Sequence, residues 1–522
     1  MIRRVASALI LALAAAPATA QMATVEQGAI EGKTLATGVR AWLGVPFAAP
    51  PVRDLRWRAP QPAAAWQGTY HADRAAPMCL QPLRNRTMNH YFGNEATSED
   101  CLYLNIWAPP EPAPAGHPYP VVVWIYGGGF NIGSASMANY SGASLAAKGV
   151  IQVNLAYRVG TLGFFAHPDL TRDAAGASGN YGLMDQIAGL EWVHRNIAAF
   201  GGDPENVTIM GQSAGSMSVA LLQASPAAKG LFKRVVGMSG SPLGELLAPE
   251  PLAEAEADGV RFAASLGASS VEALRDMSGD KIAAAPFVRR GPITVDGRVL
   301  PQSPSQIFVQ GAQNNVPAML GFTADESFRP LGPVHNVAEY QAAIRRAFPE
   351  RADAILKAYP ATSDAAAARA AADVQRDATV GLQMAGWARA QKAPTWVWLF
   401  SRRHPYAEGI RFSDHDPATV GAYHTGDVPY WLDTLDALNL FRQTRNWTAE
   451  DRALAARMSG MIISFAKGEA PDANWPQFSA AKPKMMQLDL MPRVISWPHY
   501  TSLGLFSGVA VAAPAEPRKP RD

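Results

Sequence analysis

Six short runs of β-branched and other apolar residues recur along the chain, at residues 121–125, 151–155, 207–210, 235–238, 317–322 and 395–400. Runs this short and this uniformly apolar read as strands buried on both faces. Between the second and the third, Leu183, Ile187, Leu190, Val193 and Ile197 recur at helical spacing. That stripe predicts an amphipathic helix over 182–197, packed on the sheet. Strands alternating with helices predict an α/β fold, a mostly parallel central sheet with helices on both faces. Residues 337–392 then turn Ala-rich and helical, with breaks at Pro349 and Pro360, which predicts a helical insertion between core strands, in a position to roof a site. There is no internal repeat and no Pro/Gly/Ser linker long enough to split the middle, so residues 21–506 are expected to form one domain.

Composition narrows the class. The chain has 522 residues, of which 48% are hydrophobic and 17% charged, enough for a large core and far from a disordered composition. Lys+Arg 46 against Asp+Glu 44 gives a net charge of +2, so no polyanion partner such as nucleic acid is favoured. Residues 1–20 read as a secretory signal peptide: Arg3 and Arg4 open it, an apolar Ala/Leu run follows, and Ala18-Thr19-Ala20 supplies a small-residue cleavage site before Gln21. Pro17 ends the apolar run short of the roughly 20 residues that span a membrane, so a secreted or periplasmic protein without an anchor is expected. Residues 507–522, with Pro514, Pro517 and Pro520, read as a frayed tail. In an oxidising compartment the only two cysteines, Cys79 and Cys101, are expected to pair. Two sulfurs without a histidine cluster make only half a metal-ligand set, so no metal is expected.

Candidate chemistry centres on Gly211-Gln212-Ser213-Ala214-Gly215, which follows the run 207–210 and precedes a helix-like stretch. A G-x-S-x-G turn between strand and helix holds its serine out at a strained tip, and glycine is needed at 211 and 215 because side chains there would meet the neighbouring strand and helix. Tyr126-Gly127-Gly128-Gly129-Phe130 follows the run 121–125. Its bare N–H groups at Gly128 and Gly129, with that of Ala214, form a candidate oxyanion hole. No G-x-G-x-x-G lies between a strand and a helix and no H-E-x-x-H is present, which removes dinucleotide and zinc-protease readings.

At this point the chain resembles the type-B carboxylesterases, which include the cholinesterases. The resemblance runs from about Val25 to Phe506 and is carried by ordered blocks: Gly44-Val45-Pro46-Phe47, Leu55-Arg56-Trp57, Ser98-Glu99-Asp100-Cys101-Leu102, Tyr126 to Phe130, Tyr157-Arg158-Val159-Gly160, Gly179 to Gln186, and Phe200-Gly201-Gly202-Asp203-Pro204 leading into the serine motif. It implies the α/β-hydrolase fold and a triad in the order Ser, acid, His. By similarity to the family's acid segment, Glu326 in Thr323-Ala324-Asp325-Glu326-Ser327 is the acid, with Asp325 as runner-up. Among the later histidines, His335, His404, His415, His424 and His499, the small-residue segment Gly421 to Tyr430 resembles the family's base segment and selects His424. His415, between two aspartates, is expected in a solvent-exposed turn. The resemblance further implies the Cys79–Cys101 pair, a buried serine near the triad at Ser239, and structural ion pairs Arg56–Glu99 and Arg158–Asp185.

The activity implied is that of a secreted serine carboxylesterase, which hydrolyses neutral aliphatic or aromatic esters through an acyl-enzyme and requires no cofactor. Two departures from the cholinesterases weaken any choline-ester preference: Gln212 stands where they carry Glu, and the loop 79–101 has no Trp, with Tyr91 and Phe92 near that place. Acyl and alcohol pockets are expected near Phe130, Leu243 and the insertion. Two alternatives remain open from sequence: a lipase-like interfacial esterase, and a non-catalytic binding protein like the neuroligins, which lack the nucleophile that Ser213 supplies here.

Overall fold

The structure is a computed structural model that describes residues 21–89, 96–244, 248–289, 291–326, 328 and 330–508. The expected leader 1–20, residues 509–522 of the expected tail, and Tyr91 and Phe92 lie outside the described residues.

One large sheet organises the chain. Its strands, labelled in chain order, are β1 (Gln21–Val25), β2 (Gly28–Thr34), β3 (Arg40–Pro46), β4 (Tyr103–Ala108), β5 (Tyr119–Ile125), β6 (Ile151–Leu155), β7 (Gly202–Gln212), β8 (Arg234–Met238), β9 (Ala318–Thr323), β10 (Thr395–Phe400), β11 (Lys484–Leu488) and β12 (Arg493–Ser496). In space they run β1-β2-β3-β4-β6-β5-β7-β8-β9-β10-β11-β12, with Thr69–His71 pairing on the side of β2. From β6 to β11 every pairing is parallel, and the antiparallel pairings sit at the two ends. Each predicted strand lies in that parallel centre. Helices cover both faces there, so β5, β6, β8, β9 and β10 are buried along nearly their whole length, and uniform apolarity follows.

The predicted amphipathic helix runs Tyr181–Asn196 and tightens into a short turn at Ile197–Phe200. The Ala-rich insertion forms Val337–Ala347, Ala352–Ala358, Asp364–Arg376 and Leu382–Ala390, joined at Asp377–Gly381 by a wider π turn. Tyr340, Ile344, Phe348, Ile355 and Tyr359 give it a satellite core of its own. No described helix is long and apolar enough to cross a membrane.

Two ion pairs, Arg158–Asp185 fully buried and Arg56–Glu99 partly so, hold connections around the sheet. Arg56 grips Glu99 through two 2.7 Å bonds and caps the carbonyls of Leu274 and Met277. Arg158 forks onto Asp185 at 2.8 Å, with side-chain exposures of 4% and 0%, and its own N–H adds a third bond to the same carboxylate. Deleting one partner leaves a charge buried and uncompensated. Arg158→Met is therefore expected to lower stability by about 3–5 kcal/mol, whereas Arg158→Met with Asp185→Leu regains most of it. Urea midpoints of the two variants check this; a single variant as stable as the parent would show the pair to be dispensable.

Candidate active site

The serine turn is built as its glycines require. Ser213 sits between the end of β7 and the helix Ala214–Ala224, at φ 58° and ψ −122°, a conformation that a β-carbon disfavours. A β-carbon at 211 would fall 2.4 Å from the Gly215 backbone, and one at 215 would fall 2.1 Å from the Ile125 carbonyl, so neither position accepts a side chain. The Ser213 N–H donates to the Met238 carbonyl at 2.8 Å, which anchors the tip to β8.

The triple-glycine loop packs directly against this turn. A β-carbon on Gly127 would lie 2.3 Å from the Gln212 carbonyl and 3.0 Å from the Ser213 β-carbon. Gly128 and Gly129 take positive φ, 119° and 63°, so the loop folds back beside the serine, with the Gly128 carbonyl turned to accept from the Asn131 and Ile132 N–H groups. Gln81, two residues beyond the disulfide-bonded Cys79, exchanges two bonds with the Gly133 backbone and so ties the Cys79–Cys101 loop to the glycine segment.

Glu326 follows β9, and His424 lies on the loop 421–426. The imidazole bridges the other two groups: Nδ1 meets Glu326 Oε2, and Nε2 lies 2.9 Å from Ser213 Oγ. A carboxylate on Nδ1 fixes the neutral tautomer with its proton there, leaving the Nε2 lone pair toward the hydroxyl. The other Glu326 oxygen accepts from the Thr323 N–H at 2.9 Å, and its side chain is fully buried. Burial by itself would lower the His424 pKa; the Glu326 charge and hydrogen bond, helped by Asp427, overcome it and hold the pKa above the ordinary imidazole value.

Several contacts fix the loop 421–426 that carries His424. Asp325, beside Glu326, forms a bridge with Tyr423: its N–H donates to the Ala422 carbonyl, and its carboxylate accepts from the Ala422 N–H at 2.9 Å. Gln212 Nε2 donates to the His424 carbonyl at 2.9 Å, a bond that an ionised Glu could not make. Behind the loop, His404 joins the Gly426 carbonyl through Nε2 and the Tyr423 hydroxyl through Nδ1. Burial and the nearby Arg445 drive the His404 pKa well down, so it stays neutral in this role.

The remaining expectations sort by surroundings. Ser239 is buried at φ 56°, and its hydroxyl makes no hydrogen bond among the described residues. His415 is not in an exposed turn: its ring packs against Phe412, Tyr406 and Tyr423, because the loop 409–417 folds over an aromatic cluster that local polarity does not reveal. His335 lies on the surface loop before Val337–Ala347, and His499 pairs with Asp377. Phe130 is fully buried and packs edge-on against Phe164. Sequence reasoning missed Asp427, fully buried with Oδ2 held by Trp431 Nε1; burial and the Glu326 charge push its pKa up to about 7. Its place three residues after His424 was the available signal.

The sequence pattern of the carboxylesterase family matches residues 19–502. The chain belongs to the carboxylesterase family. It is 38% identical over 474 residues to the fumonisin B1 esterase of Sphingopyxis macrogoltabida, covering 87% of this chain and 84% of that one. It is 33% identical over 494 residues to the para-nitrobenzyl esterase of Bacillus subtilis (strain 168), covering 90% and 95%. A solved structure of a thermophilic pNB esterase superposes with a TM-score of 0.77 at 31% identity, covering 94% of this chain and all of the other. This carboxylesterase is thus a hydrolase of carboxylic esters with an α/β-hydrolase fold, and its substrates are small-molecule esters.

Proposed function

We propose that this carboxylesterase cleaves neutral aliphatic or aromatic esters through a Ser213–His424–Glu326 triad, in an exported chain from which residues 1–20 are removed. His424 Nε2 takes the proton from Ser213 Oγ as that oxygen attacks the ester carbonyl. The N–H groups of Gly128, Gly129 and Ala214 stabilise the oxygen that becomes negative. The imidazolium that forms is held by Glu326 and then protonates the departing alcohol. Water, activated by the same nitrogen, attacks the acyl-enzyme and releases the acid.

The observation that carries this reading is the 2.9 Å approach of Nε2 to Oγ with Nδ1 already on a buried carboxylate. A neutral substrate is favoured because the residue before the nucleophile, Gln212, is uncharged and its amide is engaged with the His424 carbonyl. A fluorophosphonate probe is expected to label the chain once, at Ser213, in step with loss of p-nitrophenyl butyrate turnover. Label found by peptide mapping on another serine would overturn the assignment.

A further inference from the structure

We propose that a cavity behind the base loop is a binding site for a carboxylate carried on a short apolar chain. The cavity encloses about 300 Å³ between residues 86–89 and 437–444. That is the lower end of small-molecule sites, roughly 300–1,000 Å³, and the volume of about ten waters.

Its lining is amphiphilic. Met88, Leu438, Leu440 and Phe441 make the apolar wall, and Arg86 and Arg442 bring two guanidiniums to it. Leu440 and Phe441 are 57% and 56% exposed, an unusual state for two consecutive large apolar side chains. Neither Arg86 nor Arg442 has a carboxylate partner among the described residues; Arg442 reaches the Thr87 carbonyl at 3.5 Å and lies over the Phe412 ring.

A third positive charge stands behind the wall. Arg445 is fully buried, and its hydrogen bonds go to neutral groups: Thr444 Oγ1, Asn89 Oδ1 and the Tyr423 hydroxyl. Its Nε finds no partner among the described residues. Asn89 and Thr444 also line the cavity, so this buried cation lies one side chain from its interior. The acid joined to this group is Asp414, an exposed side chain that accepts the Asn89 N–H at 2.9 Å. Among the described residues, three guanidiniums face one solvated carboxylate that hydrogen-bonds into the group, a positive balance that an anion with an apolar body would match, its charge to the arginines and its body to the wall.

The ligand has two chemical sources: a free carboxylic acid such as ester hydrolysis releases, or the acid-bearing arm of an ester. Because Asn89 and Tyr423 share Arg445, an occupant lies against the loop that carries His424.

Hexanoate and its uncharged isostere hexanamide test the site by calorimetry on the full chain carrying Ser213→Ala, so the outcome does not depend on turnover. Hexanoate is expected to bind at least tenfold more tightly than hexanamide. That advantage is expected to vanish when Arg86→Gln and Arg442→Gln are added, and to shrink in 0.5 M NaCl. Equal binding of acid and amide, or hexanoate binding undiminished in the double arginine variant, overturns the proposal and leaves the esterase reading intact. In the chain with Ser213 present, the arginine variant should keep parental turnover of neutral butyrate esters, which also reports its folding. For an ester ending in a carboxylate, a KM raised at least tenfold at unchanged kcat identifies a substrate arm. An unchanged KM, with loss of hexanoate inhibition, identifies the free acid.

Discussion

Replacing Ser213 by alanine is expected to lower kcat on the order of a million-fold while leaving the fold intact. Alanine carries the same β-carbon as serine, so the positive φ at 213 is no more strained in the variant than in the parent. What disappears is the oxygen 2.9 Å from His424 Nε2. Without it no acyl-enzyme forms, and the residual rate comes from the glycine-loop donors and substrate positioning, which retain on the order of 10³–10⁴ over water. His424→Ala is expected to cost a similar factor, and the double variant little more than either, because the groups act as one unit. Steady-state kinetics on all three, with circular dichroism as the folding control, measure this. Turnover within tenfold of the parent in Ser213→Ala would mean that another group attacks the ester.

Glu326→Gln is expected to give the second largest effect, a fall in kcat on the order of 10⁴-fold. An amide can present either an N–H or an oxygen to Nδ1, so the tautomer that leaves Nε2 free is no longer enforced. The pH profile separates this from simple misfolding. The base works only when His424 is unprotonated, so kcat/KM rises with pH through the His424 pKa, which Glu326 holds above the ordinary value against the pull of burial. Removing that charge leaves burial dominant, so the rising limb of the residual activity moves to lower pH. A limb that stays put, or moves up, would show that Glu326 does not set the charge state of His424.

How much of this was legible in the sequence depended on where the information lay. The central parallel strands were readable because both their faces are covered, which forces uniform apolarity at 151–155 and 395–400. The flanking antiparallel strands were not: in β2 and β12, half-exposed positions interrupt the apolar pattern and short turns join neighbours. The serine and its glycines were legible because backbone geometry dictates residue type locally. Glu326 and His424 were selected only by resemblance, since each is an ordinary polar residue in a loop until the fold brings it to Ser213. The roles of His404, Arg445 and Asp427 stayed hidden for the same reason: burial of a charged or titratable side chain is a property of its three-dimensional neighbours.

The helical insertion carries a mechanical implication. Arg369, on Asp364–Arg376, grips Asp325 at 2.6 Å and reaches the Ala324 carbonyl, and Asp325 is in turn laced to Ala422. An outward swing of these helices would therefore tug on the segments before both Glu326 and His424. The position of these helices and the alignment of Glu326 with His424 thus share one mechanical tether, so a change that loosens the insertion is expected to detune the hydrogen-bond relay as well.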